Sequence, residues 1–464
     1  MPEDLLKRRI LPTFFFLALW CAKAALAVEP STEILAPGLK HLVLSRGEAA
    51  TSKSYRVLIG VFERQSEADK MLHRLWGKDF SALPYTGGTD YRVVSQGFPR
   101  RAEAEDLRKN LINQGFSSPL EIQEVEQDLT HPGGPWKIHV LEADPRRVVI
   151  RVAHAYDAAI GLETTAALAE RHRALAAING GYFRMEGLLA GDSRGVLQIE
   201  GRLLSEPDRG RAAVGFYDHD GLVGSVFGRL GFRGAVHLAA REPIPLDGIN
   251  RHREPSEIVL YTPEFHRTTL TSPEGAEIVI EKGHIAEISK GVGSSLIPSA
   301  GMVLSIGSER VQDVLPLIRR GDSVAVKADL VPLLPDPEDG WEKAEYIVGG
   351  GPLLLRNGER LENPEEESIS RVFFLARHPR TAVGVRADGT LLFVTVDGRR
   401  PEESVGMSVP ELTDLMRELG AVSAINLDGG GSTTMVIDGN VVNRPSGTSA
   451  RRNADAILLY PRKS

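Results

Sequence analysis

The stretch Asn426-Leu427-Asp428-Gly429-Gly430-Gly431-Ser432 sets a carboxylate between an apolar run and three successive glycines. Glycine tolerates positive φ and lets a backbone come close to a ligand. Successive peptide N–H groups in such a loop can form a concavity that holds an anion. Asp428 is therefore placed to act on a substrate whose negative group rests on the amides of Gly429, Gly430 and Gly431, with Ser432 adding a hydroxyl. Asp-Gly is also a favoured hairpin turn, so the stretch takes its meaning from its company. Three more stretches run from an apolar strand into a polar or glycine-rich corner. They are Asn179-Gly180-Gly181-Tyr182-Phe183, Gly349-Gly350-Gly351-Pro352, and His378-Pro379-Arg380-Thr381, which leads on to Asp397-Gly398-Arg399. Together they suggest loops gathered at one sheet end to form a pocket.

These residue types suit a negatively charged, sugar-like substrate. Arg380 offers a planar fork for phosphate, and Asn179 and Asn426 can bond to hydroxyls. Asp428 is the first choice for the reacting carboxylate and Asp397 for its partner, a pairing of the sort glycoside cleavage uses. Because phosphate leaves readily, Arg380 and the loop amides would replace much of a general acid's work. Gly180, Gly181, Gly350, Gly351, His378, Thr381 and Arg399 complete the expected lining. Asp192, in Asp192-Ser193-Arg194 just past the first corner, either lines the same pocket or caps a turn. Other chemistries fit less well. The glycine loop lacks the lysine of a nucleotide P-loop and does not match the G-x-S-x-G elbow of serine hydrolases. No histidine pair or cysteine cluster points to zinc, and no cofactor is called for, although Asp397 and Asp428 could share a hard cation.

The elements that must position these corners are mostly strands. Trp136 to Leu141, Arg147 to Ala153, Ala174 to Ile178, Val196 to Ile199 and Ala212 to Phe216 carry strand patterns, and helices are expected over Thr164 to Arg173 and Val409 to Leu419. The second helix is well signed. Ser408 and Glu411 form a capping box, Leu412, Leu415, Met416 and Leu419 make a buried stripe, and Gly420 stops it. It delivers the chain into the strand that ends at Asp428.

The chain of 464 residues has room for two or three domains. Residues 1–27 read as a secretory signal, with Lys7-Arg8-Arg9, an apolar run and Ala25-Leu26-Ala27. The run is short for a membrane span, so no transmembrane segment is expected after cleavage, and the protein is expected outside the cytoplasm, in the periplasm or cell envelope. The single cysteine, Cys21, lies inside this signal. Removing four basic and two acidic residues takes the net charge from -7 to -9, a balance that argues against nucleic acid as a partner. Residues 28–54 read as a linker. Residues 55–126 hold a repeat in which Tyr55-Arg56-Val57 onward aligns with Tyr91-Arg92-Val93 onward, each copy a strand followed by an amphipathic helix. A Pro/Gly hinge spans 127–135, and one large domain spans 136–462. The expected class is α+β, a small four-stranded domain followed by a large, mixed, strand-rich one.

Residues 55–126 resemble a SPOR domain through Tyr55, Val57, Gly60, Phe62 and Ala68. That resemblance implies binding of peptidoglycan strands on the exposed face of a four-stranded sheet. Residues 136–462 resemble the phosphodiester glycosidase family through the corners at 179–183, 349–352, 378–381, 397–399 and 426–432. This second resemblance implies an exported envelope hydrolase that cleaves a glycosidic bond to a sugar-1-phosphate. Two rivals use the same residues: a protein that binds glycan without cutting it, and a glycosidase acting on ordinary cell-wall glycosides.

Overall fold

The computed structural model describes residues 31–47, 54–75, 80–84, 91–95, 97–98, 100–116, 119–125, 134–239, 241–334, 340–361, 364–400 and 402–463. The expected signal lies outside them, as does the expected hinge apart from Gly134 and Pro135.

An eight-stranded antiparallel sheet forms the backbone of the large domain. Its order is Ser31–Ala36, Leu39–Arg46, Trp136–Ala143, Leu391–Val396, Arg380–Arg386, Ala421–Asn426, Leu353–Arg356 and Glu359–Arg360. The first two strands correct the expectation of a linker over 28–54. Pro37-Gly38 turns a hairpin whose second strand pairs along its whole length with Trp136–Ala143, from Leu39 opposite Ala143 to Arg46 opposite Trp136. Gly38 takes φ +82, a conformation glycine adopts without a Cβ penalty.

The SPOR-like module is thus an insertion between neighbouring strands of one sheet. It leaves near Arg46 and returns near Trp136. Its own sheet runs Phe80–Pro84, Tyr91–Ser95, Ser54–Phe62, Glu121–Val125. Helices Gln65–Leu75 and Arg101–Asn113 bury Ala68, Leu72, Ala104 and Leu111 against Val57, Ile59 and Val93, as the repeat requires. Leu58 and Val94, paired and pointing away from that core, are buried too. The expectation that this second face is exposed fails at its centre. The module's first helix and the Phe80–Pro84 strand lie against the short helix Arg371–Leu375 of the large domain.

Two more sheets pack on the first. One runs Asn440–Val441, Met435–Ile437, Ala176–Asn179, Asp455–Pro461, Val148–His154. The other runs Arg202–Ser205, Leu197–Ile199, Tyr346–Gly349, Ala212–His219, Leu222–Leu238, Ile244–Leu246. Leu141, Phe393 and Ile425 from the first sheet, Ile178 and Ile457 from the second, and Val214 and Val348 from the third share one core. At about 1.5–3 kcal/mol for each large aliphatic side chain fully buried, this shared core ties the three sheets together. A second, separate core gathers Val236, Leu260, Ile278, Ile306 and Val324 around the sheet containing Ile258–Tyr261, Gly275–Glu281, His284–Lys290 and Gly301–Gly307. The region expected as one large domain over 136–462 thus holds more than one hydrophobic core. The helix Val409–Glu418 carries the expected capping box and buries Leu412, Leu415 and Met416. The whole is α+β, a small module and a larger strand-rich domain.

Candidate active site

The four glycine-rich corners meet where strand ends of all three packed sheets converge, and they meet closely enough that side chains are excluded. A Cβ on Gly180 would lie 1.8 Å from Asp455 Oδ1, on Gly181 2.6 Å from the Gly349 carbonyl, on Gly350 2.5 Å from the Asn426 carbonyl, and on Gly429 2.6 Å from the Pro379 carbonyl. Each glycine thus permits backbone contact between corners far apart in sequence.

Two buried asparagines lock this junction. Asn179 Oδ1 accepts from Thr381 Oγ1 at 2.8 Å and from the Thr434 amide at 3.1 Å, while its Nδ2 donates to the Asp428 carbonyl at 2.8 Å. Asn426 Nδ2 donates to the Gly351 carbonyl at 2.8 Å and to Tyr182 Oη at 2.9 Å. With both ends of its amide engaged and 1 % exposure, Asn179 positions the Asp428 loop and does not reach a sugar, which corrects its expected role. Thr381, fully buried, serves the same clamp.

Of the three amides expected to form a nest, that of Gly430 is already taken, while that of Gly429 favours the Asp428 carboxylate. The Gly430 amide bonds to the Pro379 carbonyl at 2.8 Å, that of Ser432 to the Gly429 carbonyl at 3.1 Å, that of Gly350 to Ala212, and that of Gly351 to Asn426. Gly180 and Gly181 both donate to Asp455, through its carbonyl and its Oδ1.

Asp428 is half-buried at the head of its loop. Burial pushes its carboxyl up to about 6, against the pull of the Ser432 hydroxyl, Arg451 and the Gly429 amide, which favour the anion. Its carboxylate neighbour is Asp455, not Asp397. Asp455 is 2 % exposed, and burial, with the Asp428 charge adding to it, pushes its carboxyl up to about 7. Asp397 keeps other company. Its oxygens accept from Asn443 Nδ2 at 3.1 Å and from the Arg444 amide at 3.1 Å, so it pins the 443–444 turn. The shared cation has no support here, and among the described residues no group of three or more His, Cys, Asp or Glu side chains is arranged to hold a metal ion.

Arg380 is also reassigned. It is completely buried, with Nε on the Met407 carbonyl at 2.8 Å and Nη2 on the carbonyls of Phe373 and Ala376 at 3.0 and 2.8 Å. Its guanidinium lies 4.6 Å from the Phe373 ring centroid. Only Nη1 is without a partner, and it is buried, so a phosphate cannot take this guanidinium in two-point contact; Arg380 anchors the helix Arg371–Leu375. The accessible cations are Arg399 and Arg451, both exposed. A Cβ on Gly430 would meet Arg399 Nη2 at 3.1 Å, and one on Gly431 would meet Arg451 Cζ at 2.5 Å. Burial and the Arg451 charge lower the affinity of Arg399 for its proton, as expected for two guanidiniums converging on one loop. Among the described residues neither has an ion-pair partner. His378, beside Arg380 and Arg399, is driven down to about 3, mainly by burial, and stays neutral.

On the Tyr182 side of the junction a cavity of about 490 Å3 opens between Phe183, Met185, Ile369 and Phe373, rimmed by Arg194 and Arg211. Asp192 borders a second cavity behind this one. Asp455 and Arg451 escaped sequence reasoning. The signals were an aspartate opening the apolar run Ala456-Ile457-Leu458-Leu459, and an arginine pair closing a Ser/Gly-rich turn.

Comparison with known proteins agrees with this layout. The SPOR domain profile matches residues 51–122, and the profile described as phosphodiester glycosidase matches residues 274–460. The chain is 38% identical over 86 residues to an SPbeta prophage-derived uncharacterized protein of Bacillus subtilis, covering 18% of this chain and 13% of that one. It is 33% identical over 104 residues to the N-acetylglucosamine-1-phosphodiester alpha-N-acetylglucosaminidase of Mus musculus, covering 22% of this chain and 20% of that one. The match thus spans a minor part of either relative's length. A solved structure of a Burkholderia pseudomallei protein superimposes with a TM-score of 0.71 at 25% identity, over 94% of this chain and 97% of that one. No helix among the described residues is long and apolar enough to cross a membrane. The chain therefore carries a SPOR domain and a domain with a phosphodiester-glycosidase-like fold.

Proposed function

We propose that this protein is an exported envelope hydrolase that cleaves the bond between a sugar and a phosphodiester, and that its SPOR domain holds it on peptidoglycan. The observation that carries the reading is the convergence of two exposed guanidiniums, Arg399 and Arg451, on the Gly429–Gly431 loop that Asp428 heads. A carboxylate with a pKa of about 6 is ionised at neutral pH and still basic enough to take a proton. Arginines are suited to hold a phosphate in two-point contact.

The step balances without a cofactor. Water delivers its hydroxyl to the anomeric carbon as Asp428 takes the proton. The bond from that carbon to the phosphate oxygen breaks, and its electron pair leaves on a phosphomonoester. Arg399 and Arg451 stabilise the charge that grows there. Asp455, Asn179 and Thr381 hold the loop, and Arg380 holds the wall carrying Phe373. The relative from Mus musculus, by its name, acts on N-acetylglucosamine-1-phosphodiesters, so that is the first substrate to try. Incubation with the methyl diester of N-acetyl-α-glucosamine-1-phosphate should release free sugar and methyl phosphate in equal amounts, followed by phosphorus NMR. Unchanged diester after prolonged incubation with folded protein counts against the reaction. Retention of denuded glycan strands without cleavage would favour the binding protein.

A further inference from the structure

A second cavity, of about 620 Å3, lies behind the loop that joins Tyr182 to Arg194, and the proposed reaction makes no use of it. The loop is closed at its base. Phe183 bridges Ser193, the Arg184 amide donates to the Asp192 carbonyl at 2.8 Å, and the Arg194 amide donates to the Tyr182 carbonyl at 2.7 Å. Arg184 and Arg194 consequently border both cavities.

Most charges around the second cavity are already matched. Glu206 and Glu257 both pair with Arg251, and Asp208 lies 3.5 Å from Arg211. Asp192 is different. It is 5 % exposed, it borders the cavity, and among the described residues its carboxyl has no hydrogen-bond or ion-pair partner. Arg184 Nε is likewise buried and unpartnered. Leaving buried polar groups unmatched is costly, and the cost is recovered when a ligand reaches them. Burial holds the Asp192 carboxyl near 7, so it can both donate and accept hydrogen bonds. Phe232 and Leu246 add apolar wall.

That combination selects a ligand class. A bare anion would meet Asp192, and a bare cation would meet the guanidiniums of Arg184, Arg194 and Arg251. A neutral ring bearing several hydroxyls suits both, and its C–H face suits the apolar wall. We infer that the second cavity is a sugar subsite, in which a neutral pyranose bonds through its hydroxyls to Asp192 and Arg184 and rests on Phe232 and Leu246. A glycan that reaches Asp428 by way of the first cavity then continues past Arg194, and the substrate carries at least two sugar residues. The inference rests on the glycan-cleaving reading of the first site, and the test separates the two.

N-acetylglucosamine and its β-1,4-linked dimer are titrated calorimetrically into the full chain carrying Asp428→Asn, which leaves the ligand intact. The same titrations follow with Asp192→Ala, Asp192→Asn or Arg184→Ala added. The dimer should bind at least about tenfold more tightly than the monomer, the scale of one charge-assisted hydrogen bond. Asp192→Ala and Arg184→Ala should bring that ratio close to one, and Asp192→Asn, which keeps donor and acceptor, should preserve part of it. Because the Asp192 side chain has no protein partner and burial disfavours its charge, its variants should melt no lower than the parent. A ratio near one in the parent, a ratio that survives Asp192→Ala, or no binding of either sugar overturns the subsite. Turnover of the one-sugar methyl diester by the unmutated chain reports on the first site alone.

Discussion

Replacing Asp455 with asparagine should make the protein more stable above neutral pH and remove part of the pH dependence of its stability. Asp455 is 2 % exposed, so solvent does little to screen it. Burial and the Asp428 charge raise its pKa from 3.8 to about 7. A carboxyl whose folded pKa lies above its unfolded value binds more protons in the folded state across that interval. Its stabilising contribution is complete below pH 3.8 and is lost as pH rises through about 7. At about 1.4 kcal/mol for each tenfold change in proton affinity, the loss approaches roughly 4 kcal/mol as an upper bound. Asparagine keeps an Oδ1 acceptor for the Gly181 amide, whose bond to Asp455 is 2.8 Å, but carries no charge to desolvate. Thermal melting at pH 5 and pH 8, followed by circular dichroism, gives the two differences. The wild-type midpoint should fall between those pH values, and the fall should shrink in Asp455→Asn. An unchanged fall, or a variant less stable than wild type at pH 8, would refute the reasoning.

Asp428→Asn should lower kcat on a phosphodiester by about 10²–10⁴-fold, the scale of lost acid–base catalysis; wild-type activity should drop as pH falls through about 6, where Asp428 becomes protonated. Gly180→Ala places a Cβ 1.8 Å from Asp455 Oδ1 and should cost at least about 1–3 kcal/mol by chemical denaturation. Arg380→Lys should lower the melting temperature, because the carbonyls of Phe373 and Ala376 lose a donor, while charged and uncharged substrates suffer alike; selective loss on the charged one would restore Arg380 as a phosphate ligand.

Local signals carried the sequence reading furthest. The helix Val409–Glu418 was legible because its capping box and its stripe of Leu412, Leu415 and Met416 lie within a few residues. The four corners were legible because close backbone approach leaves glycines at Gly180, Gly181, Gly350 and Gly429. Pairing them was harder. Asp397 and Asp455 are both buried carboxylates near strand ends, and only the fold decides that Asn443 takes one while the Gly180–Gly181 corner takes the other. Arg380 sits in an attractive motif, yet its guanidinium is buried against the carbonyls of Phe373, Ala376 and Met407. The hairpin over Ser31–Arg46 was missed because its partner strand, Trp136–Ala143, lies beyond an entire inserted module.

The central claim is that Asp428 cuts while Arg399 and Arg451 hold the phosphate. The direct measurement is kcat/KM for the methyl diester of N-acetyl-α-glucosamine-1-phosphate and for an uncharged aryl α-N-acetylglucosaminide, in wild type and in an Arg399→Ala, Arg451→Ala double variant. The account predicts that wild type prefers the charged substrate and that the double variant loses this preference by about tenfold or more, the scale of one or two charge-assisted contacts. Equal preference in both proteins, or a wild type indifferent to the phosphate, would contradict it.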